Sequence, residues 1–292
     1  MTAPRLVLVL FTLPLWLLAG CGSAGDKSSG GQGGSGAQTA KLAVKASDPS
    51  KGKVALESPK SVEAGAVELT LANSGKGPHG AQLVRVEGDH SADEVIEKVL
   101  DSPDGAPTPE WAFAGGGVAP VPPGKSGTST VILEPGSYYI ADDGGDEADN
   151  FAKGGIAALE VTGKGGGQLP NTDASISARE YTFETSGLKA GKNRLTFKNE
   201  GKELHHVIAF PLRPGAKFDD VKKLFASDKE PTGPPPFDEK KIVGTSVIDG
   251  GSSQVTDIEL ESGTYAFACF VSDRKGGPPH VAKGMISEVK IK

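Results

Sequence analysis

The sequence predicts an all-β protein made of two tandem β-sandwiches, each with one short helical insert. Three observations lead there. Glycine (41) and proline (21) are abundant in 292 residues while aromatics make up 6%, which favours short strands and many turns over long helices. Apolar runs are short, partly alternating and bounded by Gly, Pro and Asn. Three sequence blocks also recur in the same order. "VELTLANSGKGPHG" from Val67 matches "RLTFKNEGKELHH" from Arg194, with Asn73 and Asn199 126 residues apart, as are His79 and His205. "LEPGSYYIAD" from Leu133 matches "LESGTYAFAC" from Leu260 at an offset of 127. "FAKGGIAALEV" from Phe151 matches "VAKGMISEVKI" from Val281 at an offset of 130. A repeat of this length and order implies a duplication.

The elements follow along the chain. Arg5 precedes the apolar run "LVLVLFTLPLWLLAG", which is short and ends in small residues, so residues 1–20 read as an export leader. "LAGC" at Leu18–Cys21 resembles the bacterial lipobox, a resemblance that implies lipidation of Cys21 and tethering at the extracytoplasmic face of the cell membrane. Residues 21–40 are rich in Gly and Ser and form a tether that cannot build a core. The first sandwich is expected over 41–162, a linker over 163–172 and the second sandwich over 173–292. In both, "VELTL", "TSTVIL" and "GSYYIA" or their counterparts read as strands, which suggests antiparallel sheets. The helical inserts are "HSADEVIEKVL", where Ser91 and Glu94 have capping-box spacing, and "AKFDDVKKLFA". The Pro-rich "EPTGPPPF" is a loop. A net charge of −6 without basic runs argues against nucleic acid as a partner.

The chemistry-bearing residues are few and clustered. With Cys21 assigned to lipid, Cys269 is the one remaining thiol, and it has no disulfide partner. The second repeat holds Cys269 together with His205, His206, His280 and Met285. Two imidazoles and a thiolate with a weak thioether are the donor inventory of a blue copper site. The order of segments resembles the cupredoxin family, plastocyanin in particular. "NEGKELH" places Asn199 six residues before His205, "GTYAFAC" matches the family's G-x-Y-x-F-x-C strand, and "HVAKGM" matches H-x3-G-M. The resemblance spans about 120 residues of the second repeat. It implies a Greek-key cupredoxin-like fold and one copper held by His205, Cys269, His280 and Met285, with His206 as the alternative to His205. In the family two residues separate the Cys and His ligands, whereas here ten do, "FVSDRKGGPP". The longer loop costs about 1 kcal/mol of closure entropy against on the order of 10 kcal/mol from a tight metal site, so energy does not exclude it.

The first repeat keeps His79 but has Asp142, Asn150 and Gly155 at the places of Cys269, His280 and Met285. Its acidic stretch "DDGGDEADN" reads as a solvated loop or, less simply, a hard-cation site. The first sandwich is then a spacer, docking surface or packing partner. No H-x-H pair of the kind that holds further coppers in multicopper oxidases occurs, and no nucleophile stands beside a base. The expectation is a non-enzymatic, membrane-tethered electron carrier with an unidentified redox or protein partner. Two rivals are a metal-free binding lipoprotein and a copper delivery or storage protein.

Overall fold

The computed structural model describes residues 39–145, 150–227 and 233–292. The leader, Cys21 and nearly all of the tether lie outside the described residues, as does part of the acidic loop and of the Pro-rich loop. The chain is all-β, as expected. The first half contributes β1 (Ala40–Ser50), β2 (Lys53–Glu57), β3 (Ser61–Glu63), β4 (Gly65–Asn73), β5 (His79–Val86), β6 (Ala112–Val121), β7 (Ser126–Leu133), β8 (Gly136–Ala141) and β9 (Ile156–Thr162). The second contributes β10 (Ala174–Arg179), β11 (Thr182–Ser186), β12 (Gly191–Asn199), β13 (Ile208–Pro211), β14 (Val243–Gly244), β15 (Ser253–Leu260), β16 (Gly263–Ala268) and β17 (Ile286–Ile291).

Each half is two facing sheets over its own core. In the first, β2-β1-β4-β7 faces β3-β9-β8-β5-β6. Leu42 and Val44 on β1 and Val67, Leu69 and Leu71 on β4 alternate inward against Leu83, Tyr138 and Ile140. In the second, β11-β10-β12-β15 faces β14-β13-β16-β17, and Ile176, Leu195 and Phe197 meet Tyr265 and Phe267. The period of two along a strand selects which side chains enter these cores.

Two features differ from the sequence expectation. The sheets are mixed, because β1 runs parallel to β4 and β10 parallel to β12. In each pair the chain leaves and returns through a hairpin partner, so the two neighbours point the same way. The halves are also joined edge to edge. β15 pairs antiparallel with β7 through Gln254↔Val131, Val255↔Thr130 and Thr256↔Ser129, making one eight-stranded sheet. This pairing satisfies two edges that would otherwise present open backbone groups.

The helical inserts cover outer sheet faces. α1 (Ala92–Val95) continues into a wider turn, Ile96–Leu100, and places Val95 against Val84 and Val86. Ser91 Oγ accepts from the Glu94 N–H at 3.2 Å, but the Glu94 carboxylate turns to His90 at 3.1 Å, so the capping box is half made. His90 stacks on Trp111 with ring centroids 3.8 Å apart, a packing role. α2 (Phe218–Phe225) buries Val221 over β13 and β16. There Phe210, Phe225, Phe237 and Phe270 form an aromatic cluster with centroids 4.8–5.9 Å apart. β16 is therefore covered on both faces, Tyr265 and Phe267 inward and Ala266 and Ala268 beneath α2.

Candidate metal centre

The cluster lies at one end of the second sandwich. Cys269 follows β16 in the register Tyr265, Phe267, Cys269, so strand alternation sends its thiol to the core side. His205 lies between β12 and β13. Its segment is shaped by Asn199, whose Nδ2 donates to Glu203 O at 2.7 Å and Ile248 O at 3.1 Å while Oδ1 accepts from the Gly201 N–H at 3.0 Å. Asn73 makes the same three bonds in the first half, to Gly77 O, Val121 O and the Gly75 N–H. His280 opens a short 3-10 turn, His280–Lys283, which Gly284 ends at φ +95°. That left-handed conformation favours glycine and returns the chain to β17. The same turn lets the Met285 N–H donate to His280 O at 2.9 Å.

His205, Cys269 and His280 are fully buried, and their donor atoms lie within 4.8 Å of one another. Cys269 Sγ is 3.8 Å from His205 Nδ1 and 3.5 Å from His280 Nδ1, and the two Nδ1 atoms are 3.1 Å apart. Met285 is fully buried in the same core, and its carbonyl accepts the Cys269 N–H at 3.3 Å.

The outer imidazole edges differ. His280 Nε2 lies 3.0 Å from Asp273, whose carboxylate also accepts from Tyr181 Oη at 2.9 Å and from Lys283 Nζ. Donation from Nε2–H to Asp273 leaves the Nδ1 lone pair facing the thiol. His205 Nε2 is buried without a hydrogen-bond partner among the described residues, with Glu180 Oε1 3.8 Å away.

Burial, then the charge on His280, pushes His205 down to about 4, so its ring is neutral near pH 7. Burial also lowers His280, against the pull of Asp273. Burial raises Asp273, but Lys283, Tyr181 and His280 outweigh it, and its carboxyl is held below its ordinary value. The Cys269 thiol is pushed up to about 12 by burial, opposed by the backbone N–H groups of His206 and Val271. A free thiol here keeps its proton, and a bound cation is what favours the thiolate. Two neutral imidazoles and one such sulfur form a donor set suited to copper.

The structure separates the two adjacent histidines. His206, read as the alternative ligand and otherwise as a solvated neighbour, is neither in the cluster nor free in solvent. Its Nε2 accepts the Phe270 N–H at 2.9 Å, and its ring meets Phe270 edge-on at 6.4 Å. Burial, then His205 and His280, lowers it to about 4, which keeps that lone pair available.

The corresponding place in the first half is filled by hydrogen bonds. His79 Nδ1 contacts Asp142 Oδ2, and Asn150 Nδ2 lies 3.1 Å from the same ring nitrogen. Asp142 Oδ1 accepts from the Gly80 and Gly144 N–H groups at 2.8 and 3.0 Å. Asn150 also donates to Pro78 O at 3.0 Å. Asp142 and Asn150 are buried, so these two ends of the acidic stretch are not the solvated loop the sequence implied. The repeat places Asp142 and Asn150 opposite His79, but their hydrogen bonds to it span 63 and 71 residues and were not legible in the sequence.

The fold is cupredoxin-like: strand sandwiches with a His–Cys–His cluster at the end of one. No family model matches the chain, and no curated protein matches it. Solved structures similar to it include a reduced auracyanin from Roseiflexus castenholzii, at 19% identity and TM-score 0.29, covering 41% of this chain and 97% of that one. A copper nitrite reductase from Nitrosomonas europaea aligns over 87% of this chain and 94% of its own at 14% identity and TM-score 0.26. A multicopper oxidase aligns over 86% and 88% at 14% identity and TM-score 0.23. Scores this low carry no argument for what this chain does. The nitrite reductase and the oxidase are themselves enzymes, and the expectation that this chain is not one, drawn from missing H-x-H pairs, is withdrawn.

Proposed function

We propose that the chain is a lipid-tethered, extracytoplasmic copper protein that passes single electrons through one type 1 copper in its second half. On this reading the chain is a tandem duplication in which the second copy alone keeps the metal. His205 and His280 would hold the copper through Nδ1 and Cys269 through its thiolate, with Met285, buried in the same core, as the thioether donor. Bound there, copper supplies one-electron chemistry at a site whose donors are already gathered.

The observation that carries this is the buried grouping of three soft or borderline donors within 4.8 Å. The protein's own contribution is orientation and exclusion of water. Asp273 fixes the tautomer of His280, and burial keeps both rings neutral. Full burial of the three donors favours retention of the metal over exchange, which supports electron transfer above delivery or storage. The lipid tether rests on "LAGC" at Leu18–Cys21. Among the described residues no helix is long and apolar enough to cross a membrane.

The test is addition of Cu(II) to the purified chain. The expected result is an intense visible thiolate-to-copper absorption that Cys269→Ser abolishes. A colourless chain that takes up no stoichiometric copper would overturn the proposal.

A further inference from the structure

Both segments that carry the clustered imidazoles are tied to the first half. His205 exchanges backbone hydrogen bonds with Ile248, at 3.1 and 2.9 Å. The strip around Ile248 is held from the other side. Gly116 N–H donates to Val247 O and Asp249 N–H to Ala114 O, both at 3.1 Å. The buried Gln82 amide accepts the Val247 N–H at 2.8 Å and donates to Val247 O at 3.1 Å.

The ten-residue loop that leads to His280 is held at its middle. Arg274 grips Asp249 with N···O distances of 2.6–3.1 Å, donates twice to Ala112 O at 3.2 Å, and lies 5.3 Å from the centroid of the Phe113 ring. Thr108 N–H donates to Arg274 O and Gly277 N–H to Gly105 O, both at 2.9 Å. The backbones approach so closely that a Cβ on Gly105, at φ +75°, would sit 2.8 Å from Gly277 O. Asp273, which holds the His280 ring, is the residue next to Arg274.

We infer that the first half is a positioning element for the centre in the second, bracing His205 through Gln82 and the 114–116 backbone and His280 through the contacts of Arg274. A loop of this length left free would sample many His280 placements. Anchored at its midpoint, it behaves as two short spans. The brace is a property of the protein without metal, and only its consequence for copper rests on the function proposed above.

The test uses the full chain carrying Cys21→Ser, so that Cys269 is the one thiol. Cys269 is fully buried, so labelling by a small aromatic disulfide reads how often the pocket opens. Metal-free Arg274→Gln is expected to label about 10- to 100-fold faster, the factor for losing charge-assisted hydrogen bonds. Gln82→Leu, in the first half, should shift in the same direction. Arg194→Gln, which loses only an exposed pair with Asp257 and a 3.5 Å contact to Thr130, should not. Copper-loaded Arg274→Gln should show an altered visible band although no ligand has changed. Folded Arg274→Gln and Gln82→Leu chains with wild-type labelling rates would overturn the proposal. If Arg274→Gln does not fold, Arg274→Lys decides by the same readings. A chain that takes up no copper overturns the copper reading, while the labelling rates still decide the brace.

Discussion

The two halves solve the same local problem with opposite chemistry. Each buries a histidine behind an asparagine-clamped turn, His79 behind Asn73 and His205 behind Asn199. In the first half the ring nitrogen facing inward meets a carboxylate and an amide, and Asp142 is satisfied further by two backbone N–H groups. In the second half the inward nitrogens face each other and a thiol across 3.1–3.8 Å, with no carboxylate or amide between them. The first-half groups that face inward already have partners, while His79 Nε2, 3.4 Å from Asp48, makes no hydrogen bond among the described residues. A pocket of neutral lone pairs and one sulfur gains most when a soft cation enters it. Burial alone therefore does not mark a metal site; what matters is whether the buried polar atoms already satisfy one another.

The largest effect that can break this comparison comes from the paired positions 142 and 269. Asp142→Ala leaves His79 and the Gly80 and Gly144 N–H groups without their acceptor. A loss of about 3–5 kcal/mol is expected in denaturant unfolding, because several buried groups lose their acceptor at about 1–3 kcal/mol each. Cys269→Ala in metal-free protein removes only a small buried sulfur and should cost about 1–2 kcal/mol. Equal costs would mean that the first network is not what holds its pocket.

A smaller contrast lies at 155 and 285. A Cβ on Gly155 would stand 2.7 Å from Asn150 O and 3.0 Å from Asp142 Cβ, so Gly155→Ala should cost about 1–3 kcal/mol by overpacking. Met285→Leu conserves volume and should cost less than about 1.5 kcal/mol. With copper bound it should keep the colour and raise the reduction potential, because an apolar axial neighbour favours Cu(I). Loss of all copper from that variant would assign Met285 to packing.

The last contrast is with pH. His205 and His206 titrate near 4 in the folded chain against an ordinary 6.5. Between those values the unfolded chain binds more protons, so metal-free stability should fall as pH drops from about 6.5 to about 4, and should go on falling below as Asp273, Glu180 and Asp48, held under their ordinary values, take up protons. Denaturation midpoints across that window check the sign, and His206→Asn should flatten the slope.

Much of this was legible in the sequence because it is local. Strand alternation places Tyr265, Phe267 and Cys269 on one face, the Asn-to-His spacing marks the two turns, and "HVAKGM" encodes a turn that needs Gly284. The Asn199 spacing and the match to His79 favoured His205 over His206 in the sequence; the pairing of His205 with Ile248, 43 residues away, and the role of His206 in accepting from Phe270 were not legible there. The join of β7 to β15 and the grip of Arg274 were not legible. An edge strand and a loop arginine look the same in sequence whatever they meet. What holds the ten-residue loop was hidden for the same reason, since its anchors at Gly105, Thr108 and Ala112 lie in the other half of the chain.

The most direct measurement is copper per chain after exhaustive dialysis, made on wild type, Cys269→Ser and His79→Gln. The account predicts one tightly held copper in wild type, none in Cys269→Ser and one in His79→Gln. Two coppers in wild type, none in wild type, or one that survives Cys269→Ser but not His79→Gln would contradict the division of the molecule into a hydrogen-bonded half and a metal-binding half.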